Sequence, residues 1–164
     1  MVALIIILVV LISIAADIVF FIWWFKRLRA EAIEDLHQAV GEERVYQVED
    51  CNFFGRQSSG YKQWRGNGVL ALTDRGIHFR MFIPRKELFV PLDSIRDISQ
   101  PRSFLGKSKM KSLLRVDFTG EEGRDDACAW LVPSLQWWSE AVAALRAGKE
   151  PPDAPWEHHG SFKR

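Results

Sequence analysis

This chain of 164 residues contains few cysteines and carries almost no net charge. Only two cysteines occur, Cys51 and Cys128, and they match neither a CxxC pair nor a metal-ligand spacing. We therefore expect free, buried thiols in a reducing compartment. The net charge is only +1, so no overall field favours nucleic acid or another polyanion. We expect no nucleic-acid partner.

Motifs for catalysis or cofactor binding are also missing. The four histidines are scattered, and none accompanies a serine or cysteine in a recognisable catalytic arrangement. The sequence has no HExxH motif, no glycine-rich loop to cradle a phosphate and no paired carboxylates placed for acid–base work. We expect no enzyme, no cofactor and no metal site, although His158 and His159 stand side by side in the terminal stretch.

One long apolar run is present at the N-terminus, where residues 1–25 carry a single charged side chain, Asp17. A helix of about 20 residues spans the hydrocarbon core, and no basic residue precedes this run as it would in a signal peptide. We therefore predict an uncleaved transmembrane anchor. Two tryptophans end the run and three basic residues follow: Trp23, Trp24, Lys26, Arg27 and Arg29. The positive-inside rule then predicts an inner-membrane protein with its N-terminus outside and its later residues in the cytoplasm.

Asp17 is the polar exception within the anchor. It lies nine residues before Lys26, which is about 13 Å along a helix and near mid-membrane. An ionised carboxylate is costly there. Two interpretations stay open. Asp17 contacts a polar group on a partner helix, which would make the chain an accessory subunit of a membrane complex, or it is a protonated or locally hydrated residue in a lone anchor.

Residues 26–43 continue the helical pattern as a juxtamembrane segment, which Gly41 ends. An apolar stripe recurs along it at helical spacing: Leu28, Ala32, Ile33, Leu36 and Val40. This stripe is either an extension of the anchor or a short seam for a homodimer.

Residues 44–148 have the pattern of a small β domain closed by a helix. Alternating apolar residues and turn residues predict about seven short strands, typical of a small barrel or sandwich. The most regular are residues 68–73, 77–82 and 88–92; the others are 44–54, 95–100, 114–118 and 126–132. A C-terminal helix follows, and its apolar face should bury Trp138 against the strands. Residues 149–164 are polar and proline-rich, and we expect a disordered tail.

The central strands also resemble a known family. GVLALTDRGIHF followed by VPLDSI is similar to the core of the GRAM and bacterial pleckstrin-homology (PH)-like domains. The matching residues are Gly68, Leu70, Leu72, Thr73, Ile77, Phe79, Pro91, Leu92 and Ile95. The resemblance covers roughly residues 44–147 and implies a seven-stranded PH-like barrel capped by a helix. Domains of this fold bind lipids, bind peptides or act as scaffolds, so the resemblance implies fold more than activity.

Two groups of residues are candidates for binding an anionic lipid, with ordinary solvated charges as the alternative for both. The first surrounds the first strand pair, as in lipid-binding PH domains: Arg56, Lys62, Arg65 and Arg80. The second is a loop in which Phe104 and Leu105 should be exposed among basic residues: Arg102, Lys107, Lys109 and Lys111. Such a loop suits an anionic cytoplasmic leaflet. The sequence thus predicts a non-enzymatic binding or adaptor protein at the inner membrane surface, with a lipid headgroup or a membrane protein as its ligand.

Overall fold

A computed structural model of the protein describes residues 2–155. The helices are α1 (Val2–Val40) and α2 (Leu135–Arg146). The strands are β1 (Val45–Arg56), β2 (Gly66–Thr73), β3 (Gly76–Met81), β4 (Lys86–Pro91), β5 (Ile95–Ser99), β6 (Ser103–Phe104), β7 (Lys107–Ser108), β8 (Leu114–Thr119) and β9 (Asp125–Leu131). The predicted order of an apolar helix, seven main strands and a C-terminal helix is confirmed. The short β6–β7 pair was not predicted.

The seven main strands form one antiparallel sheet in the order β4-β3-β2-β1-β9-β8-β5. The long strand β1 joins its two halves, because β1 pairs with β2 as far as Phe53 and with β9 from Asn52 onward. A register shift between Phe53 and Gly55 interrupts the ladder at this crossing, and such bulges bend a strand. The sheet therefore curls at β1.

The main core fills the concave face of the curled sheet. Rings from three different strands meet there: Phe53 stacks on Phe79 at 4.8 Å, and Trp130 lies 5.8 Å from Phe53. Helix α2 closes this core with Trp138, Ala141 and Val142, which are all fully buried. The predicted burial of Trp138 is thus confirmed.

A buried polar contact also fixes α2. The carboxylate of Glu49 on β1 is only 3 % exposed. Trp138 Nε1 donates to Glu49 Oε2 at 2.7 Å, and the Ser134 hydroxyl donates to Glu49 Oε1 at 2.6 Å. Because a buried charge is costly unless it is hydrogen-bonded, these donors make the position of α2 specific.

The C-terminal half of α1 covers the convex face of the sheet. Four residues of its apolar stripe, Ala32, Ile33, Leu36 and Val40, are buried against a patch that includes Val69 of β2. The stripe residues therefore pack within the chain, which removes the surface on which the homodimer seam depended. Gly41 ends the helix as predicted, with a φ of +61° and its N–H bonded to the carbonyl of His37 at 3.0 Å.

Part of the expected tail is ordered against the domain. The Pro152 carbonyl accepts a hydrogen bond from Trp137 Nε1 at 3.0 Å. Ala154 packs on the main core, and Glu150 pairs with Arg44 at 2.8 Å. The prediction of disorder is therefore wrong for residues 149–155, because apolar and polar contacts hold them. Residues 156–164 lie outside the described part of the chain.

Candidate functional site

The contacts with α1 distinguish two ends of the β domain. The ring of Phe82, which follows β3, meets the ring of Phe25 at a centroid distance of 5.7 Å. We call this the proximal end. At the other end of β3, Arg75 pairs with Glu43, just beyond α1, at 3.0 Å. We call this the distal end. Helix α1 therefore lies along the sheet, with its apolar segment continuing past the proximal end.

The N-terminal segment of α1 is long and apolar enough to cross a membrane. Its described side chains from Ile5 to Trp24 are exposed, and no other element of the described chain covers them. Asp17 lies in this uncovered segment. Any partner of Asp17 would therefore come from the lipid, the solvent or another molecule.

Arg80 is engaged in structural contacts. It donates to Glu87 on β4 at 2.8 Å and to Asp35 on α1 at 2.6 Å, and its side chain is only 18 % exposed. This guanidinium ties α1 to the sheet. Two carboxylates of the same chain already neutralise Arg80, which makes it a weaker candidate for binding a headgroup than a cation without a partner.

Arg56 is engaged in the same way. It bonds to Asp126, whose side chain is 3 % exposed and also accepts from the Ser58 hydroxyl at 2.7 Å. Burial raises the pKa of Asp126, but hydrogen bonds from Ser58 and Arg56 outweigh it and leave the pKa lowered. The charge of Arg56 thus serves a buried carboxylate instead of a ligand.

Lys62 and Arg65 complete the first predicted cluster, and neither forms a salt bridge with a described residue. Gln63 fixes their loop to β1, because its amide both accepts from the Arg56 N–H at 2.7 Å and donates to the Arg56 carbonyl at 2.8 Å. Two guanidinium nitrogens of Arg65, Nε and Nη2, are buried without a hydrogen-bond partner in the described chain. Nε of Arg80 and Nε of Arg115 are buried without a partner as well, but those two arginines pair with carboxylates. Arg65 is therefore the one of these three arginines whose charge the described chain leaves unpaired.

The second predicted cluster is exposed. Its four cations, Arg102, Lys107, Lys109 and Lys111, are exposed, and none pairs with a carboxylate in residues 2–155. The loop of residues 101–113 also adjoins the loop of residues 57–65, since a Cβ on Gly106 would lie 3.8 Å from the ring of Tyr61. The structure thus brings the free cations of the two clusters onto neighbouring loops.

Phe104 does not have its predicted exposure. It is 5 % exposed and packs in a small cluster with Phe54, Leu113 and Ala129. Leu105 is partly buried against the same cluster. The reason is the hairpin β6–β7: Leu105 and Gly106 have φ of +47° and +73°, a tight turn that folds Phe104 back onto the domain. The predicted exposure is therefore wrong for Phe104, and the structure gives no support to a lipid contact through its ring.

A cleft of about 550 Å³ opens at the proximal end, a volume typical of ligand sites. Its apolar wall includes Phe25 and Phe82, and its polar residues include Asn52, Asn67 and Lys111. Asn52 Nδ2 donates to Asn67 Oδ1 at 2.7 Å, which leaves the Asn67 amide nitrogen for a ligand. The sequence pattern did not indicate these two amides, because only the pairing of β1 with β2 makes them neighbours.

The two thiols are buried, and His78 has partners within the described chain. Burial raises the pKa of the Cys51 and Cys128 thiols well above the usual range, so neither is a ready nucleophile. His78 Nε2 lies 2.9 Å from Glu43, and its ring packs on Phe89 at 4.4 Å. No cluster of three metal-binding side chains occurs in residues 2–155. The predicted pair His158 and His159 lies outside those residues.

Comparison with known proteins gives a fold likeness. No family model and no curated protein matches the chain. The chain is similar to the crystal structure of the C-terminal domain of an unknown protein from Leishmania infantum, with a TM-score of 0.51 and 13 % identity. The likeness covers 75 % of this chain and 98 % of that domain. At this identity it shows a shared fold alone.

Proposed function

We propose that this protein is a single-pass membrane protein whose cytoplasmic, PH-like domain acts as a non-enzymatic module that binds anionic lipid headgroups at the inner leaflet. The order of strands followed by a capping helix supports a PH-like or GRAM-like assignment. The apolar part of α1 supports the anchor, and the basic residues after Phe25 support the cytoplasmic placement of the domain.

One observation carries the proposal. After internal ion pairs are taken into account, the two neighbouring loops retain six cations without a carboxylate partner: Lys62, Arg65, Arg102, Lys107, Lys109 and Lys111. Lys111 also lines the proximal cleft beside Phe25. The unpartnered guanidinium of Arg65 suits a phosphate, since its planar fork binds phosphate oxygens in pairs.

The binding free energy expected between the basic loops and the leaflet is modest. It is sufficient for binding because the anchor holds the domain at the membrane. A basic residue near an anionic leaflet contributes about 1 kcal/mol. Because α1 already holds the domain at the membrane, binding becomes intramolecular and proceeds at a high effective concentration. Binding of the domain thus depends on the lipid composition of the leaflet and does not require association from solution.

Lysine footprinting of the full chain tests this proposal. The protein is placed in nanodiscs of neutral phosphatidylcholine, with or without anionic phosphatidylglycerol, and labelled with an acetylating reagent. Lys62, Lys107, Lys109 and Lys111 should be labelled several-fold more slowly in the anionic discs. Lys149 is the internal control, because Glu150 beside it pairs with Arg44 at the distal end.

An Arg65→Gln variant sharpens the test. It should weaken the protection of the lysines and reduce the anionic lipid that copurifies with the protein, as measured by mass spectrometry. Equal labelling of the four lysines in neutral and anionic discs would contradict headgroup binding.

The second candidate is an accessory subunit that a partner recognises through the spanning helix. The exposed carboxylate of Asp17, in a segment that nothing in the described chain covers, favours it. Here Asp17→Leu should abolish copurification of a specific membrane protein, while neutralising Lys107, Lys109 and Lys111 should leave it unchanged. The opposite pattern supports the lipid-binding module.

A further inference from the structure

A few large apolar side chains are exposed on the β domain, and most of them lie on the two basic loops and the β3–β4 turn. In the described chain after α1 they are Tyr61, Trp64, Ile83, Phe89 and Met110. Phe89 belongs to the distal half, where it packs against His78 and lies beneath the guanidinium of Arg75. The others lie on the two basic loops and on the β3–β4 turn.

Three of these residues mark the proximal end, and we call them the apolar tips. Ile83, 54 % exposed, directly follows Phe82, which contacts Phe25. Trp64, 66 % exposed, lies two residues before Gly66, and a Cβ on Gly66 would be 3.7 Å from the Ile83 carbonyl oxygen.

Met110 is the third tip. It is 91 % exposed and precedes Lys111, which lines the proximal cleft together with Phe25. It occupies the exposed position in the basic loop that the sequence pattern wrongly assigned to Phe104.

We infer that the apolar tips insert into the interfacial layer of the same membrane that α1 crosses. Phe25 is the last residue of the apolar run, directly after Trp23 and Trp24, so groups in contact with it lie near the level of the headgroups. Helix α1 is continuous through this point and its buried stripe packs on the sheet. The domain is therefore held with its proximal end facing the bilayer.

The residues around the tips fit this occupant better than they fit a protein partner. Trp64 stands between Lys62 and Arg65, and Met110 stands between Lys109 and Lys111. Apolar groups that enter the interface while neighbouring cations extend to the phosphates are typical of membrane-bound surfaces. The inference rests on the proposed role of α1 as a membrane anchor. Insertion of apolar side chains does not require anionic lipid, so the inference can hold or fail separately from the proposed headgroup binding.

Site-directed spin labelling of the full chain tests the inference. Single cysteines replace Ile83, Met110 and, as a distal control, Phe89, each carrying the same nitroxide label. The buried Cys51 and Cys128 remain in place. The proteins are reconstituted in nanodiscs of neutral phosphatidylcholine. Collisions of the label with oxygen, which partitions into the bilayer, are compared with collisions with a water-soluble nickel complex.

The expected result is a ratio of oxygen to nickel accessibility that is several-fold higher at Ile83→Cys and Met110→Cys than at Phe89→Cys. This ratio should persist from about 0.1 M to about 1 M salt, because salt screens charge but does not remove apolar burial. An aqueous ratio at both labelled tips, Ile83→Cys and Met110→Cys, equal to that of the control, overturns the inference. Shielding of the tips from both reagents overturns it too, because a second copy or another protein would then cover them.

Discussion

The contact between Trp138 and Glu49 yields a prediction with a defined magnitude. Trp138 is fully buried, and its indole N–H reaches the carboxylate of Glu49 at 2.7 Å. In Trp138→Phe most of the aromatic volume remains, but the donor is lost. Glu49 keeps only the bond from the Ser134 hydroxyl among the side-chain donors described here.

Two losses add up in this variant. A hydrogen bond to a charged group contributes about 1.5–3 kcal/mol, and the smaller ring removes about 1 kcal/mol of buried packing. The free energy of unfolding should therefore fall by about 2.5–4 kcal/mol. At a urea dependence of about 2 kcal/mol per molar, the midpoint should fall by about 1–2 M. Trp138→Ala should cost more, since removing the whole ring from a core costs about 3–5 kcal/mol on its own.

The neighbouring tryptophan provides a matched control. Trp137 is also buried, but its N–H donates to the neutral carbonyl of Pro152 at 3.0 Å. A neutral hydrogen bond contributes about 0.5–1.5 kcal/mol. Trp137→Phe should therefore shift the midpoint by clearly less than Trp138→Phe.

Urea unfolding of the full chain in detergent micelles, followed by pulse proteolysis, measures these shifts. A double-mutant cycle of Trp138→Phe with Glu49→Gln isolates the pair. The double variant should lose less stability than the sum of the two single variants, by about 1 kcal/mol. If both Trp→Phe variants shift the midpoint equally and the cycle shows no coupling, the reasoning about the buried carboxylate is refuted. If Trp138→Ala leaves the midpoint unchanged, α2 does not close the core as described.

Other regions of the protein give shorter predictions. Leu36→Ala should lower the free energy of unfolding by about 2–5 kcal/mol and expose the convex face of the sheet to proteases, because Leu36 on α1 is 3 % exposed where the helix packs on the sheet; unchanged proteolysis would contradict the packing. Cys51 and Cys128 should react with a maleimide at pH 8 only after unfolding, since burial raises the pKa of both thiols. Burial raises the pKa of Glu43, but hydrogen bonds and nearby positive charge outweigh it, and the net pKa is lowered from 4.5. The ionised Glu43 therefore stabilises the fold above that value, and this stabilisation is lost as the pH falls through the lower folded pKa. In Glu43→Gln the free energy of unfolding should depend less steeply on pH below about 4.5. An unchanged pH dependence would refute this. A reporter fused to the C-terminus should be active in the cytoplasm, and activity only in the periplasm would reverse the predicted topology.

Features that depend on nearby residues could be predicted from the sequence. The apolar run of α1, the alternation in β3 and the shared face of Leu135 and Trp138 are all encoded within a few turns or residues of chain. The end of α1 at Gly41 is equally local, because it needs only a residue that readily adopts a positive φ. Such patterns predicted the class of fold and its order of elements.

The state of each charged residue depended on distant neighbours and could not be predicted in this way. Arg56 meets Asp126 across a separation of 70 residues, and Arg80 meets Asp35 across 45. Both arginines have the local appearance of ligand-binding cations. Only the pairing of β1 with β9 and the packing of α1 on the sheet bring the neutralising carboxylates to them.

Distant neighbours also determine which apolar side chain of the basic loop is buried. Phe104 and Met110 stand in a similar local sequence of glycine, serine and lysine, yet one is buried and the other is 91 % exposed. A tight turn at Leu105 and Gly106 directs Phe104 onto a patch formed by β1 and β9. That patch exists only once strands far apart in the chain have paired. The free cations on the two neighbouring loops and the apolar tips at the proximal end therefore become visible only in the folded structure.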